Sequence, residues 1–282
     1  MMEEKEQKIF TRVKEHYQEL EKRGYEIVAV FLQGSQNYHL DEYSEEYMSD
    51  VDTKAIVLPR FEDFVINKKP TTTTIILENQ EHIETKDIRL MLDLFLKQNI
   101  SYLELLYTKY YIVNPKYKEA VRMLRESRDL ISAYDIKIFV RGIVGMAREK
   151  QNSLCHPYPS IAWKIEKYGF DGKQLSHCAR LVSFLEKFSA GKSIEKCFDE
   201  TGNWLLKNYK KFKGANGEIL TPQEAEELCD MYVEIARAKR DWILNEYKEQ
   251  KPNEKVIELL IDVKRQVLTQ WFKEELSING KN

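Results

Sequence analysis

The N-terminal segment of the chain has the apolar spacing of a helix. Apolar or aromatic residues recur there every three or four positions, at Ile9, Val13, Tyr17 and Leu20. This spacing places them on one face of an α-helix. Gly24 follows, and a glycine at that point can end the helix in the left-handed conformation. The pattern predicts a first helix that buries one stripe.

Four short segments after this helix have the pattern of strands. Residues 25–32, YEIVAVFL, are almost continuously apolar, and residues 51–58 are mostly apolar, as in strands buried on both faces. Residues 71–77 and 81–86 are separated by a polar turn and contain Thr and Ile, which favours two further strands. Together these segments predict a small sheet.

Helical spacing returns after the strands. The next amphipathic helix has apolar positions at Ile88, Met91, Leu92 and Phe95. Asp87 stands at its N-cap, where a carboxylate accepts a free backbone N–H group of the first turn. Ser101 and Glu104 have the spacing of a capping box, which predicts a further short helix.

From about residue 118 onward the pattern is helical throughout. Residues 222–247 and 253–275 have the pattern of two long charged helices with apolar stripes, and we expect them to pack as an antiparallel pair. Strands followed by helices indicate an α+β fold. We predict two domains, residues 1–116 with the sheet and residues 117–282, which are all helical.

The composition is that of an ordinary globular protein. Of 282 residues, 43% are hydrophobic and 32% are charged, which argues against disorder. A net charge of −2 creates no field that attracts nucleic acid, so any such contact must come from a local patch. The four cysteines lack CxxC spacing, and no signal or membrane-spanning run is present. We therefore expect a reduced, cytoplasmic setting without a membrane.

The candidate ligand-binding residues lie between and within the first two predicted strands, in residues 31–58, FLQGSQNYHLDEYSEEYMSDVDTKAIVL. Asp50 and Asp52 are two positions apart, and because side chains alternate along a strand, both carboxylates point the same way. Mg²⁺ accepts one or two carboxylates together with substrate phosphates. A Gly34-Ser35 turn that opens a helix offers backbone N–H groups to an anion such as a triphosphate. Each element alone is common in turns and on solvated strand faces.

In this order the two elements resemble the signature of the DNA polymerase β-like nucleotidyltransferase superfamily: hydrophobic strand, Gly-Ser, spacer, Asp-hydrophobic-Asp. The segments HIETKDIR (82–89), LKQNISYLELLYT (96–108) and GKQLSHCARLVSFLE (172–186) are similar to those of a predicted nucleotidyltransferase family of bacteria and phages, which includes RNA-repair-associated proteins. The resemblance covers roughly residues 25–190.

The resemblance implies a metal-dependent nucleotidyltransferase, which moves an NMP from an NTP to an acceptor hydroxyl and releases pyrophosphate. It implies that the first domain is polymerase β-like, a small mixed sheet with helices on one face. Asp50 and Asp52 would then hold Mg²⁺ or Mn²⁺, and Gly34 and Ser35 would contact the triphosphate.

Sites of this superfamily use a third carboxylate from an adjacent strand, and two residues are candidates. If Ile83 packs inward as Val51 does, then Glu84 lies on the face of the Asp pair, whereas Asp87 does not. We favour Glu84 as catalytic residue and metal ligand. Lys54 shares the face of Asp52, where it could contact a phosphate or be an ordinary strand-face lysine.

A second set of candidates lies in the helical region. His177 and Arg180 are one helical turn apart, and with Lys173 they could receive a phosphate or the base. The alternative is a capped helix whose charged residues make surface or interdomain pairs. A lysine-rich segment with interleaved rings, compatible with an RNA end, contains Lys207, Lys210, Lys211 and Lys213. A solvated loop is the alternative for these four.

The sequence leaves alternatives for the acceptor and for the role of the spacer. The acceptor could be RNA, a protein or a small molecule, and the oligomeric state is not predicted. The spacer 36–49 is longer than usual in the superfamily, and we expect an acidic flap that carries Asp41, Glu42, Glu45 and Glu46. Two other functions remain: a non-catalytic nucleotide-binding module of a toxin–antitoxin or phage-defence pair, and a small-molecule adenylyltransferase.

Overall fold

A computed structural model describes residues 2–42 and 49–279 of the chain, which has an α+β fold. Glu45 and Glu46 of the expected acidic flap lie outside the described residues. Among the described helices, none is both long and apolar enough to cross a membrane.

The chain forms two compact units. The first comprises Met1–Asn37, Asp41–Asp135 and Pro252–Asn282, and the second comprises Tyr38–Leu40 and Ile136–Lys251. This division differs from the predicted boundary after residue 116, because the helices that follow the sheet and the last helix of the chain belong to the first unit.

Five strands form one mixed sheet in the first unit: β1 (Glu26–Gln33), β2 (Asp52–Leu58), β3 (Thr72–Ile76), β4 (His82–Asp87) and β5 (Tyr111–Val113). Their order is β3-β4-β2-β1-β5, with β2 and β4 parallel and the other pairs antiparallel. The four predicted strands are confirmed to within one or two residues. The sequence reasoning missed β5, since a strand this short has almost no periodic signal.

The α-helices in chain order are α1 (Met2–Lys22), α2 (Phe61–Val65), α3 (Ile88–Leu96), α4 (Ile100–Leu103), α5 (Lys118–Glu126), α6 (Arg128–Ser132), α7 (Ile136–Ser153), α8 (Ala162–Tyr168), α9 (Gly172–Ser189), α10 (Ile194–Phe198), α11 (Trp204–Lys210), α12 (Pro222–Glu246) and α13 (Glu254–Asn279). Gly24 has φ +77° just after α1, as predicted. Asp87 caps α3 by accepting the Arg89 N–H, which is also confirmed. The predicted capping box is wrong, because Asn99 caps α4 and accepts the N–H of Ser101.

Helices cover both faces of the sheet. On one face, α1 packs into a cluster that includes Ile9, Val13, Leu20, Ile27, Val51, Ala55, Val57 and Ile83. On the other face, α3 contacts β2 and β4. The expected one-sided arrangement is therefore wrong. The physical reason is that the sheet is apolar on both faces, and each face has to be covered.

Each of the two long C-terminal helices buries its apolar stripe within its own unit. In the second unit, α12 packs with α7 and α9. In the first unit, α13 packs against α5 and α3. Trp271 of α13 is 2% exposed, and its ring centre lies 5.8 Å from that of Phe61 and 5.5 Å from that of Phe64.

Candidate functional site

The Gly-Ser turn and the Asp pair lie at the same end of the sheet. Gln33 at the end of β1 pairs with Asp52 at the start of antiparallel β2. Gly34 follows with φ +95°, a conformation that L-residues rarely adopt. Ser35 then opens a 3₁₀ turn, Ser35–Tyr38. Residues far apart in the sequence are thereby brought side by side.

The turn after β1 differs from the predicted anion site in two respects. The helix that Ser35 opens is only a single four-residue 3₁₀ turn, so it has a much weaker dipole than an α-helix. The Gly34 N–H donates to Oε1 of the buried Glu104 at 3.4 Å, so a phosphate would have to compete with a carboxylate there. Gln36 ties the turn to the Asp pair, since its Nε2 donates to the carbonyl oxygen of Asp50 at 2.6 Å.

Asp50 and Asp52 flank a buried residue, as the strand alternation predicts. Val51 is 4% exposed, whereas Asp50 is exposed just before β2 and Asp52 is half-buried at its first position. His82 fixes the second carboxylate: its backbone N–H donates to Oδ1 of Asp52 at 2.9 Å, and its Nδ1 lies 3.2 Å from the same oxygen. One carboxylate of the pair is therefore held in place by β4.

The donor set at this end of the sheet fits a hard divalent cation. Within residues 2–42 and 49–279, no set of three or more Asp, Glu, His or Cys side chains is arranged to hold one metal ion. Two carboxylates are enough when phosphate oxygens complete the coordination, as is usual for Mg²⁺. The hydrogen bonds from His82 to Asp52 are the kind of outer contact that orients a metal ligand.

Glu84 lies on the predicted face but has partners of its own. It stands opposite Lys54 in the parallel β2–β4 pair, so it shares the face of Asp52. Its Oε1 accepts the Tyr102 hydroxyl at 2.6 Å and lies 3.4 Å from Nζ of Lys86. Burial acts to raise the pKa of Glu84, but Lys54, the Tyr102 hydroxyl and Lys86 outweigh it and lower that pKa. The structure does not bring this carboxylate together with the Asp pair.

Lys54, Glu84, Lys86 and Tyr102 form a group that we call the Lys54 cluster. Lys54 and Lys86 are 6% and 8% exposed, and their Nζ atoms lie 3.9 Å and 4.6 Å from the centre of the Tyr102 ring. Burial lowers the pKa of Lys54 from 10.5 to about 8, while Glu84 opposes this shift and Lys86 adds to it. Two cations share one carboxylate, so the cluster is positive on the face of Asp52.

The other face of the same strands carries the Glu81 network, which comprises Arg12, His16, Thr53 and Glu81. Oε1 of Glu81 accepts the N–H of Val51 at 3.2 Å. Its Oε2 bonds to Nε2 of the fully buried His16 and to Nε of Arg12, both at 3.0 Å. The second ring nitrogen of His16 lies 2.9 Å from Oγ1 of Thr53. The network thus fixes the backbone between the two aspartates.

The electrostatics of Glu81 show how firmly this network is held. Burial acts to raise the pKa of its carboxyl, but hydrogen bonds from His16, Arg12, Asn79 and the Val51 N–H outweigh it and lower the pKa from 4.5 to about 2. The sequence did not reveal this network, because Arg12 and His16 lie 69 and 65 positions from Glu81. Only the packing of α1 against the sheet brings them together.

In the second unit, the three residues predicted on α9 do come together. Asp171 caps this helix and accepts the N–H of Lys173 at 3.1 Å. Arg180 is 7% exposed, and its guanidinium lies 3.8 Å from the centre of the Tyr38 ring. The pKa of His177 is lowered well below its usual range by burial and then by four nearby cations: Arg180, Lys173, Lys150 and Lys210. His177 is therefore neutral at pH 7 within a positive region.

The lysine-rich segment is less suited to base stacking than its sequence suggests. Tyr209 is 3% exposed, and its hydroxyl lies 2.8 Å from that of Tyr232. Phe212 stacks on Tyr168 with ring centres 3.9 Å apart. Both rings interleaved with the lysines are thus occupied by protein contacts.

The four lysines of this segment have different surroundings. Lys207 and Lys210 lie in α11, Lys211 follows as its C-cap, and Lys213 comes just after it. Nζ of Lys210 donates to the carbonyl oxygen of Leu40 at 2.9 Å. Lys211 is exposed, and Lys207, Lys210 and Lys213 are half-buried.

The described residues at both ends of the acidic spacer form ion pairs or hydrogen bonds. Asp41 is buried and forms an ion pair with Lys5 of α1, so it does not belong to a solvated flap. Glu42 and Ser49 are joined by two hydrogen bonds, from the Ser49 N–H to the Glu42 carbonyl and from the Glu42 N–H to Oγ of Ser49, both at 2.9 Å.

Compared with known proteins, the chain matches no protein-family model and no curated protein. The resemblance to the polymerase β-like superfamily therefore depends on short motifs, chiefly Gly34-Ser35 and the pair Asp50 and Asp52.

Proposed function

We propose that this protein is a metal-dependent nucleotidyltransferase with a polymerase β-like first domain, which moves an NMP from an NTP to an acceptor hydroxyl and releases pyrophosphate. The observation that carries the proposal is the Gln33–Asp52 pair of β1 and β2. It sets Gly34 and Ser35 beside Asp50 and Asp52 at one end of the sheet. This is the juxtaposition that a metal–triphosphate complex requires.

The residues of this site have separate roles in the proposal. Asp50 and Asp52 hold Mg²⁺ or Mn²⁺ against the triphosphate, and the contacts from His82 keep Asp52 oriented. The bound cation supplies charge neutralisation at the phosphates and at the departing pyrophosphate. Lys54 and Lys86 add positive charge on the same face, where they favour a polyanionic substrate.

Glu84 takes a role that differs from the one the superfamily resemblance implies. Its carboxylate accepts the Tyr102 hydroxyl and pairs with Lys86, and it faces Lys54 across the strands. We assign it to holding the two lysines in place against their mutual repulsion. This assignment leaves Asp50 and Asp52 as the metal ligands.

RNA is the acceptor class that we favour, because positive charge converges in the second unit. Four cations act on His177. Lys150 also pairs with Glu149, but several cations gathered around one side chain attract a polyanion such as RNA. A neutral His177 can hydrogen-bond a base, while Lys173 and Arg180 contact phosphates.

A second function, nucleotide binding without transfer, is favoured by one observation. Glu84 is engaged by Tyr102 and Lys86, so among the described residues no third carboxylate joins the Asp pair. A regulatory module that binds a metal–NTP complex needs only the two carboxylates.

One experiment separates the two functions. The protein is incubated with each α-labelled NTP, Mg²⁺ or Mn²⁺ and total RNA, and the label is followed in RNA, protein and small-molecule fractions. We expect metal-dependent transfer to RNA that is lost in Asp50→Asn with Asp52→Asn. The matched control, Asp241→Asn with Asp262→Asn, changes two aspartates on exposed helix surfaces and should retain it. NTP binding without transfer supports the regulatory module, and transfer by the Asp50/Asp52 variant contradicts the site.

A further inference from the structure

The sheet of the first unit ends in an edge strand whose outer side is open. β5 lies last in the strand order and, among the described residues, pairs only with β1. The Leu32 N–H donates to the Tyr110 carbonyl, and the Asn114 N–H donates to the Val28 carbonyl. Since antiparallel partners alternate, the N–H and C=O groups of Tyr111 and Val113 point away from β1. Within the described part of the chain, no backbone hydrogen bond satisfies them on that side.

A groove of about 800 Å³ runs along this open edge. All three residues of β5 line it, and each is half-buried. Its apolar lining includes Phe10 of α1 and Val121 of α5. Unpaired backbone groups at the base of a groove are a site where an extended chain can add.

The groove has a cationic rim. Its charged lining residues are Lys109, Lys118, Arg122, Arg125, Arg128 and a single carboxylate, Glu126. Lys109 also pairs with Glu6, and Arg122 pairs with Glu119 and Glu126, so part of this charge is compensated. Arg125 donates to the carbonyl oxygen of Thr108, and Arg128 donates to that of Arg125. Of the charged side chains that line the groove, five are cationic and one is a carboxylate. The guanidinium of Arg125 lies 3.9 Å from the centre of the Tyr111 ring, which keeps it beside the strand.

We propose that this groove binds an extended acidic peptide, which adds to β5 as an antiparallel or parallel sixth strand. Its backbone would pair with Tyr111 and Val113, and its carboxylates would meet the cationic rim. A second copy of this chain is disfavoured, because pairing β5 with β5 sets one cationic rim against another. A nucleic-acid backbone is disfavoured too, because phosphates accept but do not donate hydrogen bonds and cannot satisfy the outward carbonyl groups.

The competing explanation is that the cations only protect the edge. Charged residues beside an edge strand prevent it from pairing with other chains. That role predicts no saturable peptide binding, so a binding measurement decides between the two.

The test is fluorescence anisotropy with a short, labelled, N-acetylated peptide of alternating Glu and Val at low salt. We expect saturable binding. Methylating the backbone nitrogens on the peptide edge that faces β5 should weaken it about tenfold or more, because the lost hydrogen bonds leave carbonyl groups of β5 unpaired. The same peptide with Lys in place of Glu should not bind.

Two variants, each with a matched control, localise the peptide. Val113→Pro removes one outward N–H, a change that an edge strand tolerates, and should weaken binding, whereas Val113→Ala should not. Lys118→Glu should weaken binding about tenfold. Arg265→Glu is its matched control, because this residue is exposed on α13 and lies outside the groove, and it should have no effect.

Several outcomes would overturn the proposal. These are no binding at low salt, binding that is indifferent to backbone methylation, and oligouridine binding that competes with the peptide and is equally sensitive to Lys118→Glu. A concentration-dependent dimer abolished by Val113→Pro would assign the edge to self-association instead. If Val113→Pro fails to fold, the methylated peptide still tests the backbone pairing without any change to the protein.

Discussion

The two faces of the β2–β4 strand pair carry charged groups of opposite character. On the face of α1, the Glu81 network joins one carboxylate to Arg12, the His16 ring and the Val51 N–H. On the other face, the Lys54 cluster gives two lysines a single carboxylate, Glu84. In the Glu81 network the carboxylate is held by its own hydrogen-bond partners, whereas the Lys54 cluster has an excess of positive charge. We infer that the first supports the Asp50–Asp52 segment and the second attracts the ligand.

The strongest test concerns the Asp pair itself. An NTP with Mg²⁺ at about 100 times its Kd should stabilise the native protein by roughly 2.7 kcal/mol, measured as a thermal shift. Asp50→Asn with Asp52→Asn should abolish this shift while leaving the ligand-free protein folded. A metal-dependent shift of wild-type size in the double variant would remove these aspartates from the site.

The next largest effect is expected for the Glu81 network. A pKa held near 2 rather than 4.5 corresponds to about 3.5 kcal/mol of stability, at about 1.4 kcal/mol per unit. Because the Arg12 side chain is partly exposed to solvent, screening reduces this value, and Glu81→Gln should lower the free energy of unfolding at pH 7 by roughly 2–3 kcal/mol. The sign follows from the lowered pKa: the stabilisation is complete above the unfolded value and is lost as the pH falls toward 2. Urea unfolding at several pH values should therefore show the wild-type and variant stabilities converging below about pH 4.

Glu78→Gln is the control for that prediction, since Glu78 is exposed in the turn before β4. It should leave the unfolding curve unchanged at every pH. Equal stability of Glu81→Gln and wild type at pH 7 would mean that the network does not support the Asp pair.

Replacing Lys54 should separate stability from binding. Lys54→Met removes a buried ammonium whose pKa is lowered to about 8, so the variant should be at least as stable as wild type at pH 7. Its affinity for a metal–NTP complex should fall about tenfold or more, because a charged contact to phosphate is lost. Calorimetric titration measures this, and undiminished affinity would make the lysine an ordinary structural residue.

The smallest effect is expected for Glu84, and it tests whether this residue holds the two lysines in place or binds the metal. Glu84→Gln should cost about 1–2 kcal/mol of stability, since Lys54 and Lys86 lose their shared carboxylate. The metal-dependent thermal shift with NTP should persist. If it disappears in a folded variant, Glu84 binds the metal and the assigned role is wrong.

The sequence revealed the parts of the site that are local in the chain. Asp50 and Asp52 are two positions apart, so strand alternation alone gives their common face. Asp87 and Arg89 are equally close, and the cap of α3 follows from one turn of helix. The face of Glu84 was also predictable, because it depends only on parity with Ile83.

The contacts that the sequence did not reveal depend on how distant segments align in the fold. Lys54 meets Glu84 only because β2 and β4 are parallel with these residues opposite each other, and no local pattern encodes that alignment. The same holds for His16 and Glu81, which the fold brings together from distant helix and strand positions. The contacts that cover the rings of Tyr209 and Phe212 were not predictable for a related reason, since their partners lie in other helices.

The position of α13 has a consequence for the order in which the molecule forms during synthesis. The first unit needs this last helix, because Trp271 fills the space beside Phe61 and Phe64. A ribosome delivers residues 252–282 after the whole of residues 136–251. The intervening unit can therefore fold while its host is still incomplete, and the proposed catalytic sheet would reach its final packing only when translation of α13 is complete.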